Sequence, residues 1–293
     1  MSHLAKPLTL ARLNDLVLGS FSNLKPSETL DHLLIQYSLK LVIPFLRLRA
    51  RLQHRAGLRA NAVSGSADGF SKLESLLSDS RTLWRIWGLL PIFQWLISLE
   101  RNPPATRNLL TIERLQGWSM LGYYPLEHLY YLRMHKIIPE SIPSPTTIFA
   151  EKKKRIPLDV NGMALWSTRF WAAYIFLHFA HLWEDLKLLK QRHASIKKAK
   201  STLTKEEKSE MAQRWDAFWS EVVINLGYLP LTVHWSLEKG LFSNDVWVGV
   251  FGLVAAVASF RTGWKATSLP PPPEKKESET DSAENVKAYD VST

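Results

Sequence analysis

Apolar residues recur along this chain at helical spacing, and no stretch shows sustained strand alternation. From Glu28 to Arg55, residues Leu30, Leu33, Leu34, Tyr37, Leu41, Phe45, Leu48 and Leu52 fall on one stripe, flanked by Lys40, Arg47 and Arg51. Pro44 predicts a bend within that helix. Residues 56–69, rich in Gly, Ala, Asn and Ser, read as a loop. Further helices are expected over Phe70–Glu100 with a kink at Pro91, over Thr111–Ile138 and over Gly162–Lys200. A Thr204/Glu207 capping box opens another, which Pro230 interrupts, and a last apolar run covers Val246–Phe260. The pattern predicts an all-α fold, a membrane-associated bundle of about five to seven amphipathic or hydrophobic helices.

Between helices, residues 139–161 carry Pro139, Pro143, Pro145, Pro157 and the run Lys152-Lys153-Lys154-Arg155, so they read as a solvated connection. Four prolines at 270–273 end the folded body before an acidic tail. The expected organisation is an N-terminal tail over 1–26, a helical membrane domain over 27–268 and a disordered tail over 269–293.

Crossing a bilayer takes roughly 20 apolar residues in succession. Val246–Phe260 is shorter, although Trp247, Trp264 and Lys265 suit the anchoring of a tilted or thin crossing, with Gly249 and Gly252 inside the segment. Met163–Trp183 is long enough but contains Arg169, His178 and His181. Helices lying in the interface, with one or two inserted segments, fit this pattern better than a polytopic transporter.

Phe70–Leu90 carries the most information. On a helical wheel Phe70, Leu73, Leu76, Leu77, Leu83, Trp84 and Trp87 fill an arc of roughly 120°. Glu74, Ser78, Arg81 and Arg85 lie together on the other side, so the apolar arc is expected to wedge into one leaflet while the arginines meet phosphates. The same pattern also describes an ordinary core-facing helix. Leu34, Tyr37, Lys40, Leu41, Arg47 and Arg51 form a second candidate of this kind.

Composition narrows the partner. The formal charge is +10, and from Glu274 onward six acidic residues outnumber three Lys, so the body is more basic still. Such a body is drawn to nucleic acid or to lipid headgroups. The 12 Trp sit inside apolar helical runs instead of alternating with Arg and Gly, which favours lipid and argues against nucleic acid. There is no Cys, hence no thiolate chemistry. His178, His181, Glu184 and Asp185 share neighbouring turns, yet an interface-facing histidine pair is a better reading than a metal site. Lys152–Arg155 and Lys197, Lys198 and Lys200 are basic runs of the solvated type that also suit a headgroup layer. No phosphate loop, nucleotide fingerprint or catalytic triad motif is present, so no enzyme, cofactor or metal is expected.

Several local patterns resemble the peroxisomal biogenesis factor 11 family. Asp31-His32 followed by Gln36-Tyr37 is similar to its opening Asp-Lys…Gln-Tyr signature, with His32 departing from the usual Lys. Ser80-Arg81-Thr82-Leu83-Trp84-Arg85-Ile86-Trp87-Gly88 resembles its Ser-Arg-Lys…Phe-Arg…Gly segment, and Tyr123-Tyr124-Pro125-Leu126-Glu127 its tyrosines followed by an acid. Gly227 through Trp235, and Gly249 through Trp264, look like its closing block. The likeness covers about residues 27–266, and the connection at 139–161 suggests a divergent, fungal-type branch. It implies a peroxisomal membrane protein that self-associates, elongates the membrane and helps recruit the fission machinery, including a dynamin-related GTPase. It also implies a debated role in metabolite permeation, for which Arg169, His178 and His181 are the residues of interest. The terminal Val291-Ser292-Thr293 is not the matrix-import tripeptide, so delivery as a membrane protein is expected.

Overall fold

The computed structural model describes residues 26–144, 155–198 and 205–267. The chain is all-α apart from one short ladder: α1 Pro26–Arg55, α2 Gly65–Trp84, a 3-10 turn Arg85–Gly88, α3 Leu89–Arg101, α4 Arg107–Met134, β1 Ser141–Pro143, β2 Arg155–Pro157, α5 Val160–Lys198, α6 Lys205–Ser236 and α7 Asp245–Thr267. Residues 1–25 of the expected N-terminal tail, the expected tail over 269–293, the basic residues 152–154, Thr204 of the capping box and the side chains of Lys197, Lys198 and Lys200 lie outside what is described.

Local chemistry explains where several boundaries depart from the sequence pattern. The expected loop at 56–69 is shorter, because the Ser64 hydroxyl accepts from the Ala67 amide at 3.3 Å and starts α2 at Gly65, five residues early. Thr106 does the same for α4, accepting from Leu109 at 3.2 Å. The break expected at Pro91 falls instead at the 3-10 turn, and Pro91 sits in the first turn of α3, where its missing donor costs nothing. Pro44, Pro125 and Pro230 all lie inside continuous helices, so α6 runs through to Ser236 rather than stopping at Pro230. The connection after α4 is not wholly irregular: Ile142 pairs with Ile156 in an antiparallel ladder.

Packing follows a closed circuit: α2 lies on α1, α1 on α7, α7 on α6, α6 on α5, α5 on α4 and α4 on α3, while the 3-10 turn and α2 meet α4. One core cluster joins Leu33 and Tyr37 of α1 to Leu231 of α6 and to Val248 and Ala256 of α7. A second joins Leu39 and Ile43 of α1 to Ala67 of α2. Glycines allow the closest approaches. A side chain at Gly227 would meet the Ala255 amide at 2.8 Å and the Phe251 carbonyl at 2.9 Å, so α6 and α7 touch backbone to backbone there. Gly252 leaves room for the Tyr37 ring, and Gly249 for Leu41.

Polar side chains also lie between the helices. Gln36, Gln116, Glu127, His128, Asn225 and Thr232 are buried. Meanwhile Trp84, Trp118, Trp166, Trp183, Trp219, Trp247 and Trp264 are exposed. Trp, with a large apolar ring and one polar N–H, suits the membrane–water interface.

Candidate membrane-binding surface

The 3-10 turn joins α2 to α3, and this segment carries a run of exposed apolar side chains. Phe70, Leu73, Leu76, Leu83, Trp84, Ile86, Trp87, Phe93 and Ile97 are exposed along it, with Trp84 at 63% and Trp87 at 46%. Leu77 is the member of the arc that turns inward, packing against Leu39 and Ile43. The arc expected from Phe70, Leu73, Trp84 and Trp87 is therefore an outer surface rather than a core contact.

The arginines are placed differently from the sequence expectation. Arg81 donates to the Gln36 side chain and lies over the Tyr37 ring at 5.9 Å, while Gln36 donates to Glu74 at 3.1 Å. Arg85 donates to the Tyr123 hydroxyl and, at 2.6 Å, to Glu127 Oε1; Tyr123 donates to the same carboxylate at 2.7 Å. Both guanidinium groups thus bind protein groups of α1 and α4 instead of facing phosphates. For Arg85 the physical reason is that α4 offers a buried carboxylate, Glu127, that requires a cation. Burial disfavours the charge on Arg85, but Tyr123 and Glu127 outweigh it and hold the group more firmly protonated than usual. Burial pushes the Tyr123 phenol well above its ordinary range, so it stays a neutral donor.

On α1 the expected amphipathic set divides in two. Leu34 and Tyr37 pack in the core cluster, Leu41 meets α7 at Gly249, and Lys40 pairs with Glu74 at 3.1 Å. Arg47 and Arg51 remain exposed, beside exposed Phe45, Leu48 and Leu52.

The segment expected to insert is longer than the apolar run suggested. Helix α7 is long and apolar enough to cross a membrane over Asp245–Lys265, and 28% of its most apolar window is buried inside the protein. A soluble core helix would be mostly buried. Trp247 (52% exposed) and Trp264 (69%) stand near its two ends, while Gly249 and Gly252 face α1. At the far end Lys265 bonds Asp216 of α6 at 2.5 Å.

Across the bundle, His178 and His181 stack at 5.7 Å between three helices. Gln116 contacts His178 Nδ1 at 3.1 Å and Glu221 approaches its Nε2 at 3.4 Å. Glu113 lies 3.2 Å from His181 Nε2, and Asp185 lies 3.2 Å from its Nδ1. The neighbouring Asp185 carboxylate raises the His181 pKa; burial opposes the rise and Glu113 adds to it. Arg169 lies apart from this seam, donating to the Ser236 carbonyl at 3.3 Å and resting on Trp166.

Sequence reasoning left out Ile86, Phe93 and Ile97, which extend the apolar face into α3; the Phe93/Ile97 spacing of one helical turn was the available signal. It also left out the pairing of Arg85 with Glu127. Glu127 is one of only two acids in α4, a feature that marks it for a cationic partner.

These features define an all-α protein with exposed apolar side chains, several polar groups buried between its helices and a helix able to cross a bilayer. The sequence profile of peroxisomal biogenesis factor 11 (PEX11) matches residues 45–264. The chain belongs to that family, whose members are peroxisomal membrane proteins, and it is a peroxisomal biogenesis factor of the peroxisomal membrane, not a member of a known enzyme family. It is also 25% identical over 197 residues to an uncharacterized protein of Schizosaccharomyces pombe, covering 67% of this chain and 77% of that one. No solved structure matches.

Proposed function

We propose that this protein remodels and elongates the peroxisomal membrane through amphipathic helices, and so promotes peroxisome fission and proliferation. The observation that carries the reading is the outward apolar face of α2, the 3-10 turn and α3, with Trp84 and Trp87 at its centre. Inserted into lipid, each large apolar side chain contributes about 1.5–3 kcal/mol. A basic residue near an anionic surface adds about 1 kcal/mol. Apolar insertion therefore outweighs charge attraction at this face, and the inward turn of Arg81 and Arg85 does not weaken the proposal. Area added to one leaflet by many copies bends the membrane, and self-association multiplies the effect through avidity. Anionic phospholipid, further copies of the chain and the fission machinery with its dynamin-related GTPase are the proposed partners; nucleic acid is not.

The test is Trp84→Ser with Trp87→Ser in cells whose peroxisomes are marked. Overexpressed wild type should change peroxisome shape or number, and the double variant should reach the organelle without doing so. Equal reshaping by both proteins would sink the wedge mechanism.

A second reading, a permeability path for small metabolites, draws on the polar seam of Gln116, His178, His181 and Glu221. Solute flux through reconstituted vesicles tests it, with His178→Ala expected to change the rate if the seam conducts. No flux above that of empty vesicles rejects it.

A further inference from the structure

With Arg81 and Arg85 engaged inside the protein, the attraction of this chain to an anionic membrane needs another source. From His32 to Ala67 there is no Asp or Glu. Within that stretch Arg47, Arg51 and Arg55 recur every four residues, so they form one row along α1. All three are exposed, and among the described residues none of them makes an ion pair. Lys40, by contrast, is engaged by Glu74.

The register of α1 against α7 says where this row stands. Gly252 faces Tyr37, and Gly249 faces Lys40 and Leu41, so the two helices run antiparallel. Carried along, that register sets Asp245, the first residue of α7, level with Pro44. At a rise of 1.5 Å per residue, Arg47 lies about 4 Å, Arg51 about 10 Å and Arg55 about 16 Å beyond the start of α7. If α7 crosses the bilayer, the headgroup layer occupies about 5–7 Å past that point. Arg47 falls inside it, and the long side chains of the next two reach back toward it. Exposed Phe45, one residue past Pro44, stands at the acyl boundary itself.

We infer that the Arg47–Arg51–Arg55 row of α1 is the site at which this protein recognises anionic phospholipid headgroups. The inference rests on the membrane-inserted reading of the chain, and it assigns the electrostatic part to α1 while α2 and α3 supply apolar insertion.

Full-length protein reconstituted into phosphatidylcholine vesicles, doped with spin-labelled phosphatidylglycerol or phosphatidylcholine, tests it through the fraction of motionally restricted label. Wild type should prefer the anionic lipid several-fold, and the preference should shrink as salt is raised. R47Q/R51Q/R55Q should bring the ratio close to one with unchanged circular dichroism, while R47K/R51K/R55K should keep it, since the charge remains. An unchanged preference in the triple Gln variant overturns the assignment. So does a preference that emerges only after residues 269–293 are deleted, which would make the chain's own acidic tail the occupant. The absence of restricted lipid of either kind would overturn the membrane reading itself, and is distinguishable from both.

Discussion

Arg85 and Glu127 meet at 2.6 Å where the 3-10 turn packs on α4, and this contact ties the junction of α2 and α3 to the bundle. Glu127 is almost fully buried, with 6% of its side chain exposed, so its charge requires the guanidinium. Glu127→Leu alone should cost about 3–5 kcal/mol, because it strands the Arg85 charge. Arg85→Met with Glu127→Leu should recover most of that loss. Denaturant unfolding of the four proteins in detergent, read as a double-mutant cycle, checks the coupling; additive losses would show that the two residues act independently.

The same geometry separates an isolated peptide from the whole protein. A peptide of residues 70–90 leaves Arg81 and Arg85 without Gln36, Tyr123 and Glu127. It should be poorly ordered in water, become helical on anionic vesicles and release as salt rises. In the full chain, Arg85→Glu should instead act through stability, since it sets a second carboxylate beside Glu127. Circular dichroism of the peptide on vesicles, and thermal unfolding of the variant, distinguish the two effects.

Glycine positions give a graded test of helix contact. Gly227→Ala places a methyl against backbone atoms of α7 at 2.8 and 2.9 Å, which cannot rotate away, and should cost about 1–3 kcal/mol. Gly65→Ala meets nothing within 4 Å in the first turn of α2 and should be neutral or slightly stabilising. Melting temperatures in detergent should rank Gly65→Ala at or above wild type and Gly227→Ala below it.

His181 predicts a pH dependence. Its pKa is raised in the folded protein, chiefly by Asp185 and further by Glu113. A raised pKa means that the folded state binds the proton more tightly than the unfolded chain does. The stabilisation is thus full below the unfolded value of about 6.5 and is lost as pH rises through the folded value. Between pH 6 and pH 9, wild type should lose thermal stability, and His181→Gln should lose less. A wild type equally stable at both pH values would show that the pairs with Glu113 and Asp185 contribute nothing.

Element type was legible because helical periodicity is strong wherever one face of a helix is apolar, as in α1 and α2. Which apolar face is buried was not. On α1, Leu33, Tyr37 and Ile43 are buried while Phe45, Leu48 and Leu52 on the same helix are exposed, a division set by where α2 and α7 end. Periodicity also cannot separate a proline that breaks a helix from one that is carried through it. Pro125 and Pro230 are held inside helices packed against α5. The direction of Arg81 and Arg85 was hidden for a further reason. Their partners lie 38 to 45 residues away in sequence, beyond any local pattern.

The short ladder between Ser141–Pro143 and Arg155–Pro157 carries a practical consequence. Because Pro143 and Arg155 are cross-strand neighbours, the two ends of the intervening segment are held side by side. Extra length placed between them does not alter the separation of α4 and α5, and the entropic cost of a longer excursion grows only slowly. A fluorescent protein inserted near residue 149 should therefore leave the bundle intact, offering an internal tag that spares both chain ends.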